Sequence, residues 1–262
     1  MIINMTTGGK MKKLLKICLI VVIGLVFIRA TCGKIKPVNL GDEFMSFTDA
    51  VYFHNMSITY GNYELYTLNG GNDEYSIINK YDDTGEYVET YDLEIDGRTI
   101  FYNPNDDNLY AKCYDTGLYK LDLENADYEI VKEDAFESAN SSVGFSPDGK
   151  YIYEFNNGNV RVIEFDLGEQ IKTLKIKKYY DVEPYNLCIA ASANNLFIWG
   201  AEDKILVYDF KGKLVNSIEL SKSYHPFSLS YGYSMLWLAE DADGSTDITD
   251  GIWHSFPVTT GD

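Results

Sequence analysis

The chain has 262 residues, 45% of them hydrophobic, with 22 basic and 40 acidic side chains. Seven of the basic residues and none of the acidic ones precede residue 37, so the remainder has 15 basic and 40 acidic residues, a net charge of −25. Such a surface repels phosphate backbones and anionic headgroups, which argues against nucleic acid as a partner and requires an anchor for membrane attachment.

The N-terminal residues have the pattern of an export signal. Lysines precede an apolar run from Ile17 to Ile28, which is shorter than the ~20 residues that span a bilayer and typical of a signal-peptide core. The sequence 29–33, RATCG, resembles the lipobox of bacterial lipoproteins, which implies lipidation of Cys32. Cleavage after Ala30 and retention as an uncleaved signal anchor are the alternatives.

Codons for Thr7-Gly8-Gly9-Lys10 can spell a bacterial ribosome-binding sequence, so we predict that translation starts at Met11. Residues 1–10 then lie upstream of the natural start. Residues 11–32 form the signal, 33–43 a short linker, and 44–262 one domain.

The domain is predicted to repeat a unit of four short strands. The clearest copy runs from Phe145 to Ile176, where runs rich in aromatic and β-branched residues alternate with turn sequences. Third strands end at aspartates 40, 44 and 43 residues apart, namely Asp82, Asp122, Asp166 and Asp209. A four-stranded repeat of this length indicates a β-propeller.

The copy from Phe145 to Ile176 resembles the repeats of bacterial WD40-like, YVTN-type propellers. In these repeats a Pro-Asp-Gly hairpin precedes a short strand, a Gly-Asn turn and a strand ending in aspartate, as at residues 147–166 here. The other copies keep the spacing and lose Pro-Asp-Gly. The resemblance implies an all-β propeller fold, and no functional residue is carried over with it.

Five blades are expected, with first strands beginning near Ser57, Ile100, Val143, Leu187 and Phe227. The fifth blade is incomplete, with a third strand over residues 252–256 and a turn at 259–262. We expect the strand-like segment 44–53 to be its outer strand and to close the ring, since closure removes an exposed sheet edge. The alternative is an open fragment of a six- or seven-bladed propeller.

No motif in the sequence points to catalysis. There is no Gly-x-Ser-x-Gly, His-Glu-x-x-His, Cys-x-x-Cys or phosphate-binding loop. No catalytic residue is therefore proposed, and the sequence favours a protein without enzymatic activity over an enzyme without deciding between them. Cys113 and Cys188 lie on non-neighbouring blades and are expected to be buried thiols.

A candidate ligand site follows from propeller topology, because the connections into first strands and the loops between second and third strands open on one face. His54 enters blade one and His225 enters blade five, so ring closure would bring them together. Four tyrosines lie in the entry loops of blades four and five, namely Tyr179, Tyr180, Tyr185 and Tyr224. Aromatic rings beside carboxylates suit a glycan or a protein. Core packing is the alternative for any one ring.

The loop at residues 241–250 alternates carboxylates and hydroxyls that could supply oxygen ligands to Ca²⁺. The candidate ligands are Asp241, Asp243, Asp247 and Asp250. Thr246 and Ile252 stand where an EF-hand loop has glycine and glutamate, and a solvated acidic loop is the alternative. No other cofactor is expected.

The function expected first is a protein-binding module of the bacterial cell envelope, exported to the periplasm or cell surface and anchored by a lipid or signal anchor. A glycan-binding surface lipoprotein is the alternative. A five-bladed glycoside hydrolase requires two carboxylates in the central funnel, roughly 5 to 9 Å apart. It is ranked last, because the first strands that open there begin with apolar or hydroxyl-bearing residues.

Overall fold

The computed structural model describes residues 36–50, 54–70, 74–179, 181, 187–200, 203–240 and 251–260. Residues 37–262 form one compact unit. Within the described ranges, 21 strands form five antiparallel sheets, and each sheet is one blade of a propeller. The predicted fold class, an all-β propeller of five four-stranded blades, is confirmed.

Each blade runs from an inner first strand to an outer fourth strand. Blade one contains β3 (Asn55–Gly61), β4 (Glu64–Asn69), β5 (Ser76–Asp82) and β6 (Tyr87–Leu93). Blade two contains β7 (Gly97–Asn103), β8 (Asn108–Cys113), β9 (Leu118–Asp122) and β10 (Asp127–Lys132). Blade three contains β11 (Val143–Phe145), β12 (Tyr151–Asn156), β13 (Asn159–Glu164) and β14 (Glu169–Lys175). Blade four contains β15 (Ile189–Ala191), β16 (Leu196–Gly200), β17 (Lys204–Tyr208) and β18 (Leu214–Glu219). Blade five contains β19 (Ser230–Gly232), β20 (Met235–Glu240) and β21 (Ile252–Thr260), completed by β1 (Val38–Leu40) and β2 (Met45–Thr48).

The aspartate that marks the repeat in the sequence caps the turn after the third strand. In blade one, Asp82 Oδ1 accepts the backbone N–H groups of Thr84 at 2.8 Å and Glu86 at 3.0 Å. In blade four, Asp209 Oδ1 accepts those of Lys211 and Lys213, both at 2.9 Å. An aspartate that binds the backbone ahead of it stabilises a tight turn. The periodic residue is therefore structural.

The N-terminal segment closes the ring, as predicted. Both β1 and β2 pair antiparallel with β21, in a register that places Val38 opposite Thr260 and Thr48 opposite Ile252. Two expectations are corrected here. The strand-forming chain begins at Val38, inside the expected linker, and β21 continues through residues expected to form a turn, because pairing with β1 satisfies their backbone groups.

The expected start of blade five at Phe227 is also wrong. Pro226 opens a short 3-10 helix, Pro226–Ser228, and the first strand starts only at Ser230. Proline fixes φ near the helical value and lacks an N–H, so it favours the first position of a helical turn over a hydrogen-bonded position in a sheet. Blade four likewise begins at Ile189 instead of Leu187.

A buried carboxylate joins the closing segment to blades one and five. Asp49 follows β2 and is 2% exposed. Its two oxygens accept hydrogen bonds from six side chains, Asn55, Thr67, Asn69, Asn79, Tyr81 and Trp253. Burial of a charge is tolerated when hydrogen bonds replace its hydration. Cys113 and Cys188 are buried thiols, as expected.

Candidate functional site

The two histidines expected to meet at the junction of blades one and five do so. The rings of His54 and His225 are stacked with centroids 6.1 Å apart. The Phe227 ring lies 5.7 Å from that of His225 and packs against hydrophobic clusters of blades one and two as well as four and five. One apolar ring thus packs beside His225 at this end of the propeller.

The two described tyrosines of the expected ligand surface contribute to packing. Tyr224 is 7% exposed, belongs to a hydrophobic cluster and contacts the ring of Phe256 edge-on. Burial raises the pKa of its hydroxyl to about 12. Tyr179 is half-buried, packs edge-on against Phe155 and lies over Gly158, where an added Cβ would come within 2.5 Å of the ring. The alternative of core packing describes both rings better than an open stacking surface.

The remaining candidates lie outside the described residues, namely Cys32, Tyr180, Tyr185, Asp241, Asp243, Asp247 and Asp250. Within the described ranges, no group of three acidic, histidine or cysteine side chains is placed to hold a metal ion. A search of the same ranges finds no helix long and apolar enough to cross a bilayer.

The opposite face of the propeller carries a cavity at the ring axis. It has a volume of about 320 Å³, and the inner strands of all five blades contribute to its wall. The turns between first and second strands surround its mouth, and we call this side the turn face. Residues at the mouth include Asn62, Pro104, Pro147, Ala193 and Ser234.

Hydroxyl groups on the inner strands tie neighbouring blades together around this cavity. The Ser230 hydroxyl accepts the Ile58 N–H at 3.2 Å, joining blades five and one. Thr59 accepts the N–H of Tyr102, Thr99 that of Val143, and Ser142 that of Ile189, each at 3.1 or 3.2 Å. Hydroxyls that bond the next blade's backbone satisfy buried polar groups where an apolar side chain would leave them without partners.

Tyrosines dominate the mouth of the cavity on blades one and five. The rings of Tyr60 and Tyr233 are 4.2 Å apart, and Tyr63, in the turn that follows Tyr60, is 80% exposed. Tyr63 and Tyr233 occupy two-residue turns with φ of +66° and +55°, a conformation that a bulky residue rarely adopts. Exposed aromatic rings held on strained backbone are typical of binding surfaces.

The cavity is lined by aromatic, apolar and neutral polar residues. None of the described residues that line the cavity is acidic, basic, histidine or cysteine. Burial, reinforced by a 2.7 Å hydrogen bond from the Tyr102 hydroxyl to Asp107, raises the pKa of Tyr102 to about 12. The hydroxyl therefore remains protonated at neutral pH. The lining offers aromatic faces and neutral hydrogen-bonding groups to a ligand.

The sequence reasoning missed these tyrosines, although a signal was present. The inner strands of blades one and five both end in Tyr-Gly, at Tyr60-Gly61 and Tyr231-Gly232. Gly61 is required because a Cβ there would lie 2.2 Å from the Tyr102 ring. A repeated Tyr-Gly before a two-residue turn marks the aromatic mouth.

No family model matches this chain, and no curated protein matches it. Among solved structures, the crystal structure of BamB from Moraxella catarrhalis aligns with 15% sequence identity and a TM-score of 0.40. The alignment covers 78% of this chain and 59% of that one, so the match extends over about three fifths of that protein. The fold assignment rests on the chain's own strand order and ring closure.

Proposed function

We propose that this chain is an exported, membrane-anchored β-propeller of the bacterial envelope that binds a protein partner through its turn face. The aromatic mouth of the axial cavity carries the proposal. The half-buried ring of Tyr60 and the exposed ring of Tyr233 line an opening of about 320 Å³, and the turn that follows Tyr60 carries the exposed ring of Tyr63. Tyrosines around a pocket are typical anchors of protein interfaces, since they bury much area for little loss of side-chain entropy.

Export and anchoring are supported by the N-terminal sequence. The apolar run and the lipobox-like residues before Gly33 favour lipidation of Cys32, with a signal anchor as the alternative. A partner in the same membrane would then be held at high effective concentration, so moderate affinity would suffice.

A glycan-binding surface lipoprotein is the second candidate. Tyr102 favours it, because its hydroxyl contacts Asn62 at the mouth at 3.1 Å and Asp107, which lies in the adjoining groove between blades one and two, at 2.7 Å. An aromatic face beside carboxylate and amide oxygens suits a pyranose ring. A glycoside hydrolase has no such support, since the described lining lacks the carboxylate pair that hydrolysis requires.

The test is crosslinking and affinity capture of the full chain from the envelope of its own host, with mass spectrometry of the captured material. The variant Tyr63→Ser/Tyr233→Ser removes both exposed rings. Tyr75→Ser is the matched control, because Tyr75 is 53% exposed and lies in a loop on the opposite face. A stoichiometric protein captured by the wild type and the control, and lost with the double variant, supports the proposal. Capture of no protein contradicts it and directs the next test to glycan binding.

A further inference from the structure

A groove between blades three and four continues from the axial cavity across the turn face. Its volume is about 620 Å³, and its apolar wall comes from Tyr151, Tyr153 and Leu174 of blade three and Phe210 of blade four. It shares Ser146, Pro147 and Ala193 with the mouth of the axial cavity, so the two openings are contiguous. We call it the lysine groove, after the residues at its rim.

Three lysines lie at or next to this rim. Lys172 lines the groove, with its Nζ 3.3 Å from the carbonyl oxygen of Phe210. Lys150 lies in the adjoining turn of blade three and pairs at 3.1 Å with Asp148, the only acidic residue among the described residues of the lining. Lys211 is exposed and follows Phe210 directly. The rim is therefore positively charged.

The neighbouring Asp209 is held in its own turn by the backbone, and together with Asp148 it leaves the three lysines a net charge of +1 at this rim. It accepts the N–H groups of Lys211 and Lys213. The Asp209 carboxylate thus stabilises the turn that presents Phe210 and Lys211.

The same groove exists between blades one and two with the opposite charge. There Leu123 takes the position of Phe210, one residue after the turn aspartate, and the volume is about 410 Å³. Its rim has the acidic residues Asp107, Asp122 and Glu124 against the single base Lys120. One scaffold thus carries two equivalent grooves that differ in the sign of their charge.

The charge of the whole chain makes the lysine groove an exception. Residues 150–213 contain nine basic and nine acidic residues, so the net charge of −25 beyond residue 36 lies entirely outside this stretch. This stretch therefore repels an acidic partner less than the rest of the domain does, and the lysines at the rim attract it locally. Complementary charge of this kind selects partners and orients them on approach.

We propose that the lysine groove receives an extended, acidic segment of the partner protein, which places an aromatic or long aliphatic side chain against Phe210 and Tyr153. This inference rests on the proposed function and names the chemistry of the partner. The segment runs from the axial mouth over Pro147 and Ala193 into the groove. Its apolar side chain supplies most of the affinity, and its carboxylates pair with Lys172 and Lys211.

The test uses the full chain in detergent and three fluorescent peptides of equal length, with binding measured by anisotropy. The first peptide is rich in Asp and Glu around a central Phe, the second has Lys in place of the acids, and the third has Ser in place of the Phe. We expect the first peptide to bind, and to bind more weakly at high salt because screening reduces exposed charge interactions. The second and third should bind much more weakly.

Variants assign the binding to the groove. Phe210→Ala and the double variant Lys172→Glu/Lys211→Glu should each lower the affinity for the acidic Phe peptide roughly tenfold. Leu123→Ala and Lys120→Glu, in the equivalent groove, should leave its affinity unchanged. Thermal melting checks that each variant folds. If Phe210→Ala does not fold, Lys211→Glu alone tests the groove, because Lys211 is exposed and its replacement does not disturb the core. Absence of binding, equal binding of the lysine peptide, or equal sensitivity to the control variants overturns the inference.

Envelope capture separates this inference from the proposed function. If the Lys172→Glu/Lys211→Glu variant still captures the partner while Tyr63→Ser/Tyr233→Ser does not, the function stands and the lysine groove is not the site. If the wild-type chain captures no protein, the proposed function itself fails.

Discussion

The Asp49 carboxylate accepts a 2.7 Å hydrogen bond from the indole N–H of Trp253, although the two residues are 204 positions apart in the chain. Asp49 follows the N-terminal closing strand and Trp253 lies on β21. Tyr81 of blade one donates to the same carboxylate at 2.7 Å. A single buried side chain therefore connects the first strands, the first blade and the last blade.

Replacing Asp49 with alanine should destabilise the propeller strongly. Six donors would lose their acceptor in a buried site, so we expect a loss of about 3 kcal/mol or more in the free energy of unfolding. Urea denaturation measures the effect. The control Asp82→Ala removes a turn cap at the surface and should cost much less. Equal losses for the two variants would show that the Asp49 network does not stabilise ring closure.

Gly61→Ala should be more destabilising than Gly232→Ala, although both glycines follow a tyrosine at the end of an inner strand. A Cβ at Gly61 would meet the Tyr102 ring at 2.2 Å, whereas at Gly232 its nearest neighbour is the Tyr60 backbone N at 3.2 Å. Overpacking of this severity costs about 1 to 3 kcal/mol. Thermal unfolding of the two variants, measured side by side, would show which one lowers the melting temperature more. A larger decrease for Gly232→Ala would contradict the prediction.

Tyr63→Gly should stabilise the fold and weaken partner binding. At φ of +66° a tyrosine is strained, whereas glycine adopts this conformation without penalty. The free energy of unfolding of the variant should therefore be about 1 kcal/mol higher than that of the wild type. Little packing is lost because the ring is 80% exposed. The melting temperature should therefore rise while capture of the partner falls. A lower melting temperature would mean that the ring supports the fold, and its loss could not then be read as an effect on binding alone.

Stability should fall below pH 4.5 because of a second contact at the closure. His254 Nδ1 lies 2.7 Å from Glu43 and Nε2 lies 2.8 Å from Glu240, which also pairs with Lys222. Burial opposes ionisation of both carboxyl groups, but hydrogen bonds from His254 to Glu43 and from Lys222 to Glu240 hold their pKa below the ordinary 4.5.

Because the folded chain binds these protons less readily than the unfolded chain, the stabilisation is complete above pH 4.5 and disappears as the pH falls through the lower folded-state pKa. Urea midpoints measured across this range should drop for the wild type and change less for Glu43→Gln/Glu240→Gln. The exposed Glu129→Gln serves as the control. Parallel curves for all three proteins would exclude this pair as the source of the pH dependence.

The four-stranded repeat could be predicted from the sequence because the aspartate that recurs in it acts within a few residues. Asp82 and Asp209 each cap a turn of a few residues, so their spacing shows the blades directly. Ring closure followed from counting strands. The start of blade five was misplaced because Pro226 turned an apolar run into a 3-10 helix, which shows that one backbone constraint can outweigh strand propensity.

The site was less predictable than the fold. Topology alone brought His54 and His225 together, but the burial of Tyr224 depends on packing against Phe256 from a distant strand. The tyrosine mouth was missed because turn preferences favour Asn or Gly where Tyr63 and Tyr233 stand. The residues that most strongly suggest binding are therefore those whose side chains do not fit the conformational preference of their turn.

The pairing of β1 and β2 with β21 also governs the order in which the propeller can fold. Val38 is paired with Thr260, so the first strands to leave the ribosome have no sheet partner until the last blade is synthesised. Blades one to four are each built from consecutive strands and can form earlier, leaving the N-terminal segment as an open edge throughout synthesis. Until blade five forms, β1 and β2 are unpaired strands of the kind that pair with other chains, so closure of the ring also removes the edge at which a folding intermediate would aggregate.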